Sequence, residues 1–179
     1  LHGQKSAIFA IDNDARAMAE GAALGSYSFV DFRGHTKKDQ KEPLSEIYID
    51  ADGGAKLLKE VEVTVRWTSF VRDLVNMPPS YLNPKKFAEL VSAKAKKVSG
   101  VKVKVWDEKQ LKSQGFGGLI GVGQGSANPP RLVHLSYKPA KAQRTLAYVG
   151  KGITFDTGGL ALKPAANMDE MKGDMTGAA

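Results

Sequence analysis

The side chains best able to do chemistry cluster near one end of the chain, over residues 149–174. Lys151, Asp156 and Lys163 come first, followed by Asp169, Glu170 and Asp174. Lys151 follows directly on a strand candidate at 145–149, and glycines at 150, 152, 158 and 159 let the backbone turn sharply and approach a ligand closely. In open α/β sheets ligands bind beyond the carboxyl ends of the strands, which is where these groups emerge. Carboxylates and lysines converging on a strand end suit a hard divalent cation; on residue types alone, a loop laced with surface ion pairs suits them equally. Residues 169–174 read as the opening turns of a helix, where acidic groups favour the N-terminal dipole. On that turn Asp169 and Glu170 are expected to face solvent.

Other candidates are weaker. The run Gly121-Val122-Gly123-Gln124-Gly125 follows a strand candidate, but Pro129-Pro130 comes next where a dinucleotide fingerprint needs a helix, so a plain connection is expected. Of the three histidines, His2 sits at the start, His35 in a polar stretch and His134 inside a strand candidate, and no two have metal-ligand spacing. The chain has no cysteine, which excludes disulfides, zinc-thiolate sites and cysteine nucleophiles; a metal must take oxygen or nitrogen ligands. The 179 residues are 42% hydrophobic and 25% charged, a globular composition. No apolar run approaches the roughly 18–20 residues of a membrane helix, and no basic-then-apolar leader opens the sequence. The net charge of +7 is concentrated in the middle, where Lys85, Lys86, Lys94, Lys96, Lys97, Lys102 and Lys104 fall with little arginine or interleaved aromatic residue. That pattern reads as a solvated face, not a nucleic-acid surface.

The elements that must position these groups alternate in type. Residues 13–25 read as a short helix, 26–32 as an aromatic strand, 33–42 as a polar mobile loop, 45–49 as a strand and 50–54 as a turn. Beyond Gly54, Val61, Val63, Val65 and Trp67 alternate with polar residues as in a strand, while Phe70, Val71, Leu74 and Val75 have helical spacing. Asn83-Pro84 supplies a cap and a first-position proline for a helix stopped by Ser99-Gly100. Val101, Val103 and Val105 alternate with lysines as a half-buried strand, and Asp107 with Gln110 forms a capping box for a short helix ending near Gly115. Residues 119–122, 132–137 and 145–149 are further strand candidates. Strands alternating with helices predict an α/β fold with a mixed, largely parallel sheet.

At residues 149–159 the sequence Val-Gly-Lys-Gly-Ile-Thr-Phe-Asp-Thr-Gly-Gly closely resembles the cytosolic leucine aminopeptidases, which are two-metal exopeptidases. The continuation from Leu162 through Met171-Lys172-Gly173-Asp174 to Ala179 resembles them too. So do Glu20-Gly21-Ala22-Ala23-Leu24-Gly25-Ser26-Tyr27, Arg72-Asp73-Leu74-Val75-Asn76-Met77-Pro78-Pro79 and the 121–125 run, in the family's order. The resemblance covers about residues 20 to 179. It implies that Lys151, Asp156 and Asp174 ligate metal and that Lys163 is the catalytic lysine. Met171 is implied to line the pocket for the substrate's first side chain, and all five of these residues to contact substrate. It further implies two divalent ions per subunit (Mn²⁺ or Zn²⁺), bicarbonate in the complete site, peptide substrates with N-terminal leucine preferred, a homo-hexamer and a cytoplasmic location. A lysine ligates metal only as the neutral amine, so Lys151 then needs a strongly lowered pKa.

The resemblance also decides the segment after Gly54 in favour of a helix over 55–76. It divides the chain into the end of a smaller N-terminal domain (1–54), a linker helix (55–77) and the N-terminal half of the catalytic domain (78–179). The family's further Asn-Thr-Asp-Ala-Glu-Gly-Arg element, which completes the metal shell and anchors the bicarbonate, is not among the 179 residues. The expectation is therefore a partial active site on a piece of an aminopeptidase, inactive alone. A noncatalytic assembly subunit and a basic nucleic-acid-binding module are the alternative readings.

Overall fold

The protein is described here from a computed structural model that covers residues 3–10, 14–50 and 54–179. His2 and the centre of the turn expected at 50–54 lie outside the described residues. The chain forms two compact units that meet in sequence between Asn76 and Met77.

The first unit contains β1 (Ser6–Ala10), α1 (Ala15–Gly25), β2 (Glu46–Asp50) and α2 (Gly54–Asn76). β1 and β2 pair in parallel, with Ser6 opposite Glu46 and Ala10 opposite Asp50. In both strands alternate residues are shielded: Ala7 and Phe9 in one, Ile47 and Ile49 in the other. α1 begins at Asp14, whose side chain accepts from Ala17 N at 3.0 Å.

α2 is a 23-residue helix in spite of its alternating valines. Val61 is 5% exposed whereas Val63 is 48% exposed, although on a strand the two would share a face. Over the first half of the helix, up to Arg66, the shielded positions are Leu57, Val61, Thr64 and Val65, which is helical spacing. Leu74, in the last turn, is fully buried. The helix expected over 55–76 is thus the observed one.

The second unit contains α3 (Pro84–Ala95), β3 (Val101–Trp106), α4 (Glu108–Ser113), α5 (Gly117–Gly123) and β4 (Leu132–Tyr137), then a long stretch with 3₁₀ turns at Met168–Gly173 and Thr176–Ala178. Asn83 caps α3 by accepting from Lys86 N at 3.0 Å, with Pro84 at its first position. The Asp107–Gln110 capping box of α4 is present in both directions, at 2.9 and 3.0 Å. β3 and β4 pair antiparallel, from Val101 opposite Tyr137 to Trp106 opposite Leu132. Leu82, Phe87, Ala88, Ala95, Leu111 and Met175 form the buried core of this unit.

The α/β class is therefore as expected, with one parallel and one antiparallel strand pair among the described residues. Three strand assignments and one loop are corrected. Residues 26–32 form no strand, because Phe32 takes a left-handed φ of 64° and the aromatic side chains anchor the segment. Phe29 stacks on Phe32 at 6.2 Å, and Arg33 Nε donates to Phe29 O at 3.1 Å. The loop at 33–42 contains a 3₁₀ turn over Gly34–Asp39. Residues 119–122 lie within α5, where Ile120 N donates to Phe116 O at 3.2 Å. So short an apolar run carries no periodicity to tell helix from strand. Pro130 packs against this helix so closely that a Cβ on Gly123 would sit 2.8 Å from its Cδ. Residues 145–149 have no ladder partner among the described residues, and Tyr148 and Val149 are almost fully exposed.

Candidate metal and substrate site

Two close backbone approaches assemble the site within the second unit. The first brings residues 150–152 alongside 177–178. A Cβ on Gly150 would overlap the Gly177 carbonyl, and one on Gly152 would lie 3.2 Å from the Ala178 Cβ. Only glycine lets the chains pass at this distance. Met175, two residues before Gly177, is fully buried. The consequence is that Lys151 Nζ meets Asp174 Oδ1 at 2.8 Å.

The second approach closes residues 157–163 into a loop. Lys163 N donates to Thr157 O at 2.9 Å, and Gly158 N donates to Asp156 Oδ1 at 2.9 Å. Gly158 takes φ 104°, and a Cβ there would strike the Ala161 carbonyl. The loop returns Lys163 to Asp156, and Nζ lies 3.1 Å from Oδ2. On its other side the same Nζ lies 3.4 Å from Met171 Sδ.

The electrostatics follow from these pairs. The hydrogen bond from Lys163 and the Gly158 N–H hold the Asp156 carboxyl below its ordinary value near 3.8. The hydrogen bond to Asp174 holds Lys151 above its ordinary 10.5. That is opposite to the lowered value metal ligation requires, and the reason is local. Lys151 is 61% exposed and its nearest strong partner is a carboxylate.

One atom is left over. Asp174 Oδ2 is buried and has no hydrogen-bond partner. A buried carboxylate oxygen without a partner is costly, and a cation is the partner that would satisfy it. With Asp156 alongside, this donor set fits a hard dication, and Lys151 would add a nitrogen once deprotonated. Among the described residues no three histidine, aspartate or glutamate side chains converge. Asp169 and Glu170 are exposed, as expected, and stand apart from these pairs. His134 lies on β4 and stacks on Trp106 at 5.9 Å.

The family model described as the cytosol aminopeptidase family, catalytic domain, matches residues 69–179. The chain belongs to the cytosol aminopeptidase family. A probable cytosol aminopeptidase of Leifsonia xyli is 52% identical over 170 residues, which is 94% of this chain and 34% of that protein. One from Streptomyces avermitilis is 47% identical, over all of this chain and 37% of its own length. The leucyl aminopeptidase of Trypanosoma cruzi superposes with a TM-score of 0.83 at 32% identity, over 99% of this chain and 35% of its own. The bottromycin maturation enzyme BotP, solved in complex with Mn, gives 0.81 at 34% identity, over 98% and 38%. The chain thus spans little more than a third of the length of these aminopeptidase relatives.

A further cluster, in the first unit, was named by sequence only as two family landmarks. Tyr27 OH donates to Asp73 Oδ1 at 2.9 Å and accepts from Asn76 Nδ2 at 3.3 Å. Arg72 Nη1 donates to Leu24 O at 2.8 Å while its guanidinium covers the Tyr27 ring at 3.8 Å. The run ending at Tyr27 and the run beginning at Arg72 are therefore two halves of one clamp that locks the C-terminal end of α1 onto α2. Both were visible as motifs; only the fold shows that they touch.

Proposed function

We propose that the protein acts as a metal-dependent aminopeptidase that removes N-terminal residues from peptides, leucine preferentially. The carrying observation is the nested pair of contacts, Lys151 with Asp174 and Lys163 with Asp156, beside the unpartnered Asp174 Oδ2. Lys151, Asp156 and Asp174 would hold metal, two divalent ions of Mn²⁺ or Zn²⁺ in the complete site, and the Mn complex of BotP supports this reading. Bound there, such ions lower the pKa of a shared water and polarise the scissile carbonyl.

The chain's own residues supply the rest. Asp174 accepts a hydrogen bond from the Lys151 ammonium, and the Lys151 amine, with its proton released to solvent, would be the nitrogen donor to a bound ion. Lys163, an ammonium held by Asp156 and Met171, is placed to hydrogen-bond the carbonyl oxygen as it gains negative charge. Met171, half-buried beside it, would form the wall against the substrate's first side chain. The catalytic part is taken to begin at residue 78, after the linker helix 55–77, with residues 1–54 belonging to a smaller domain. Bicarbonate as a proton acceptor, a hexameric assembly and a cytoplasmic setting complete the proposal by family likeness. Among the described residues no helix is long and apolar enough to cross a membrane.

The test is turnover of a leucine anilide by the full-length protein, stripped of metal and then resupplied with Mn²⁺ or Zn²⁺. Activity restored by the ions and removed by chelation is expected. No turnover with either ion, in a folded protein, would leave the noncatalytic assembly subunit as the better reading.

A further inference from the structure

We propose that Met171 is a site of reversible oxidation by hydroperoxides, and that its sulfoxide captures the Lys163 ammonium. The effect on turnover rests on the reading of Lys163 given above; the modification itself does not. Of the five methionines, Met171 is the one whose sulfur lies within 3.4 Å of a cationic nitrogen among the described residues. It is half-buried on the 3₁₀ turn Met168–Gly173, whereas Met175, four residues on, is fully buried. Burial therefore shields Met175 and leaves Met171 open to a peroxide, as it does Met18, Met77 and Met168; the ammonium beside its sulfur is what sets Met171 apart.

The neighbouring ammonium also assists the chemistry. A sulfur lone pair of Met171 attacks the terminal peroxide oxygen, the S–O bond forms and the O–O bond breaks. The departing oxygen takes a proton from Lys163 and leaves as water or alcohol. The hydroxysulfonium then returns its proton to the Lys163 amine, giving the neutral sulfoxide. Sulfur is oxidised by two electrons and the peroxide is reduced by two.

The product differs from the reactant in the one property that matters to its neighbour. A thioether is a weak hydrogen-bond acceptor, and Lys163 Nζ is shared between Met171 Sδ at 3.4 Å and Asp156 Oδ2 at 3.1 Å. A sulfoxide oxygen is a strong acceptor projecting from the same sulfur toward the same ammonium. Its charge-assisted bond draws Lys163 from the position in which it serves a developing oxyanion.

The experiment treats the full-length protein with graded hydrogen peroxide and follows each methionine by peptide mass. In parallel it measures the acylation rate of Lys163 relative to exposed Lys141 with an amine-reactive reagent. Met171 sulfoxide is expected to form well before Met175 sulfoxide. Lys163 acylation is expected to slow about tenfold as it forms, in line with an ammonium held by a charge-assisted bond, and a methionine sulfoxide reductase should restore the rate. Leucine-anilide turnover, scored as the treated-to-untreated ratio, should fall with Met171 oxidation, and in Met171→Leu that ratio should stay near one. Oxidation of Met175 at or before Met171, or Lys163 acylation unchanged by Met171 sulfoxide, would overturn the proposal. The acylation arm needs no turnover, so it stands apart from the test of peptidase activity. If the protein turns over substrate and the Met171→Leu ratio falls as in wild type, the capture of Lys163 is wrong even though the peptidase reading holds.

Discussion

Asp156 serves two partners through two oxygens: Oδ1 accepts from the Gly158 N–H and Oδ2 from Lys163. Asp156→Asn keeps the size and one acceptor oxygen but removes the charge that draws both Lys163 and a dication. In the full-length protein it is expected to abolish metal-dependent turnover while leaving the circular dichroism spectrum unchanged; wild-type activity with a full metal complement would refute the ligand assignment. Lys163 makes a different prediction. Lys163→Ala should lower kcat on the order of 10²–10³-fold, as for removal of one oxyanion donor, with a much smaller change in KM. A raised KM with kcat intact would make it a substrate-binding residue instead. The residue types and their order along 149–174 were legible in the sequence, but by type alone they suited a loop of surface ion pairs equally, and only the family resemblance pointed to metal. The pairing was not. Nothing in the spacing says that Lys151 meets Asp174 across 23 positions while Lys163 meets Asp156, since two glycine-mediated backbone contacts decide it.

At the scale of elements, signals that name a hydrogen bond were met each time, whereas patterns were met at 45–49, 101–105 and 132–137 and missed at three other runs. Asn83-Pro84 and Asp107 with Gln110 name specific hydrogen bonds, and each bond is present. The aliphatic and aromatic runs at 26–32, 119–122 and 145–149 name only a preference; local packing overrode it in the first two, and the third is exposed with no ladder partner among the described residues. The clamp between α1 and α2 carries a prediction of its own. Burial, reinforced by Asp73, holds the Tyr27 hydroxyl above its ordinary value near 10.0, so the folded state favours the neutral phenol. The unfolded state therefore releases this proton at a lower pH than the folded state does. The contribution is present in full below the unfolded value and is lost as pH rises through and beyond it. Urea unfolding at pH 8 and at pH 11 should show Tyr27→Phe less stable than wild type at pH 8, by about 1 kcal/mol for the lost hydrogen bond, with the gap narrowed at pH 11. A gap that widens with pH would mean that the hydroxyl is bound as the phenolate.

For the molecule as a whole, the question is whether these 179 residues suffice for catalysis, and the donor count argues that they do not. The side chains proposed to hold metal are Lys151, Asp156 and Asp174, and no three histidine, aspartate or glutamate side chains converge among the described residues. Two ions about 3.5–4 Å apart need bridging carboxylates beyond this set. A lysine amine must also lose its proton before it can ligate, which makes metal binding through Lys151 dependent on pH. The surface around the site is open too: Tyr148 is 91% and Val149 99% exposed, and Leu146, Leu160 and Leu162 are exposed beside them in sequence. Apolar side chains presented in this number favour association with another surface. The isolated chain is therefore expected to bind Mn²⁺ weakly, to self-associate with rising concentration and to release no measurable leucine from an anilide. Calorimetric titration with Mn²⁺, sedimentation across a concentration series and the anilide assay each read one part of this. Turnover by the isolated chain that is lost on chelation would show that Lys151, Asp156 and Asp174 hold a working metal site without further protein ligands.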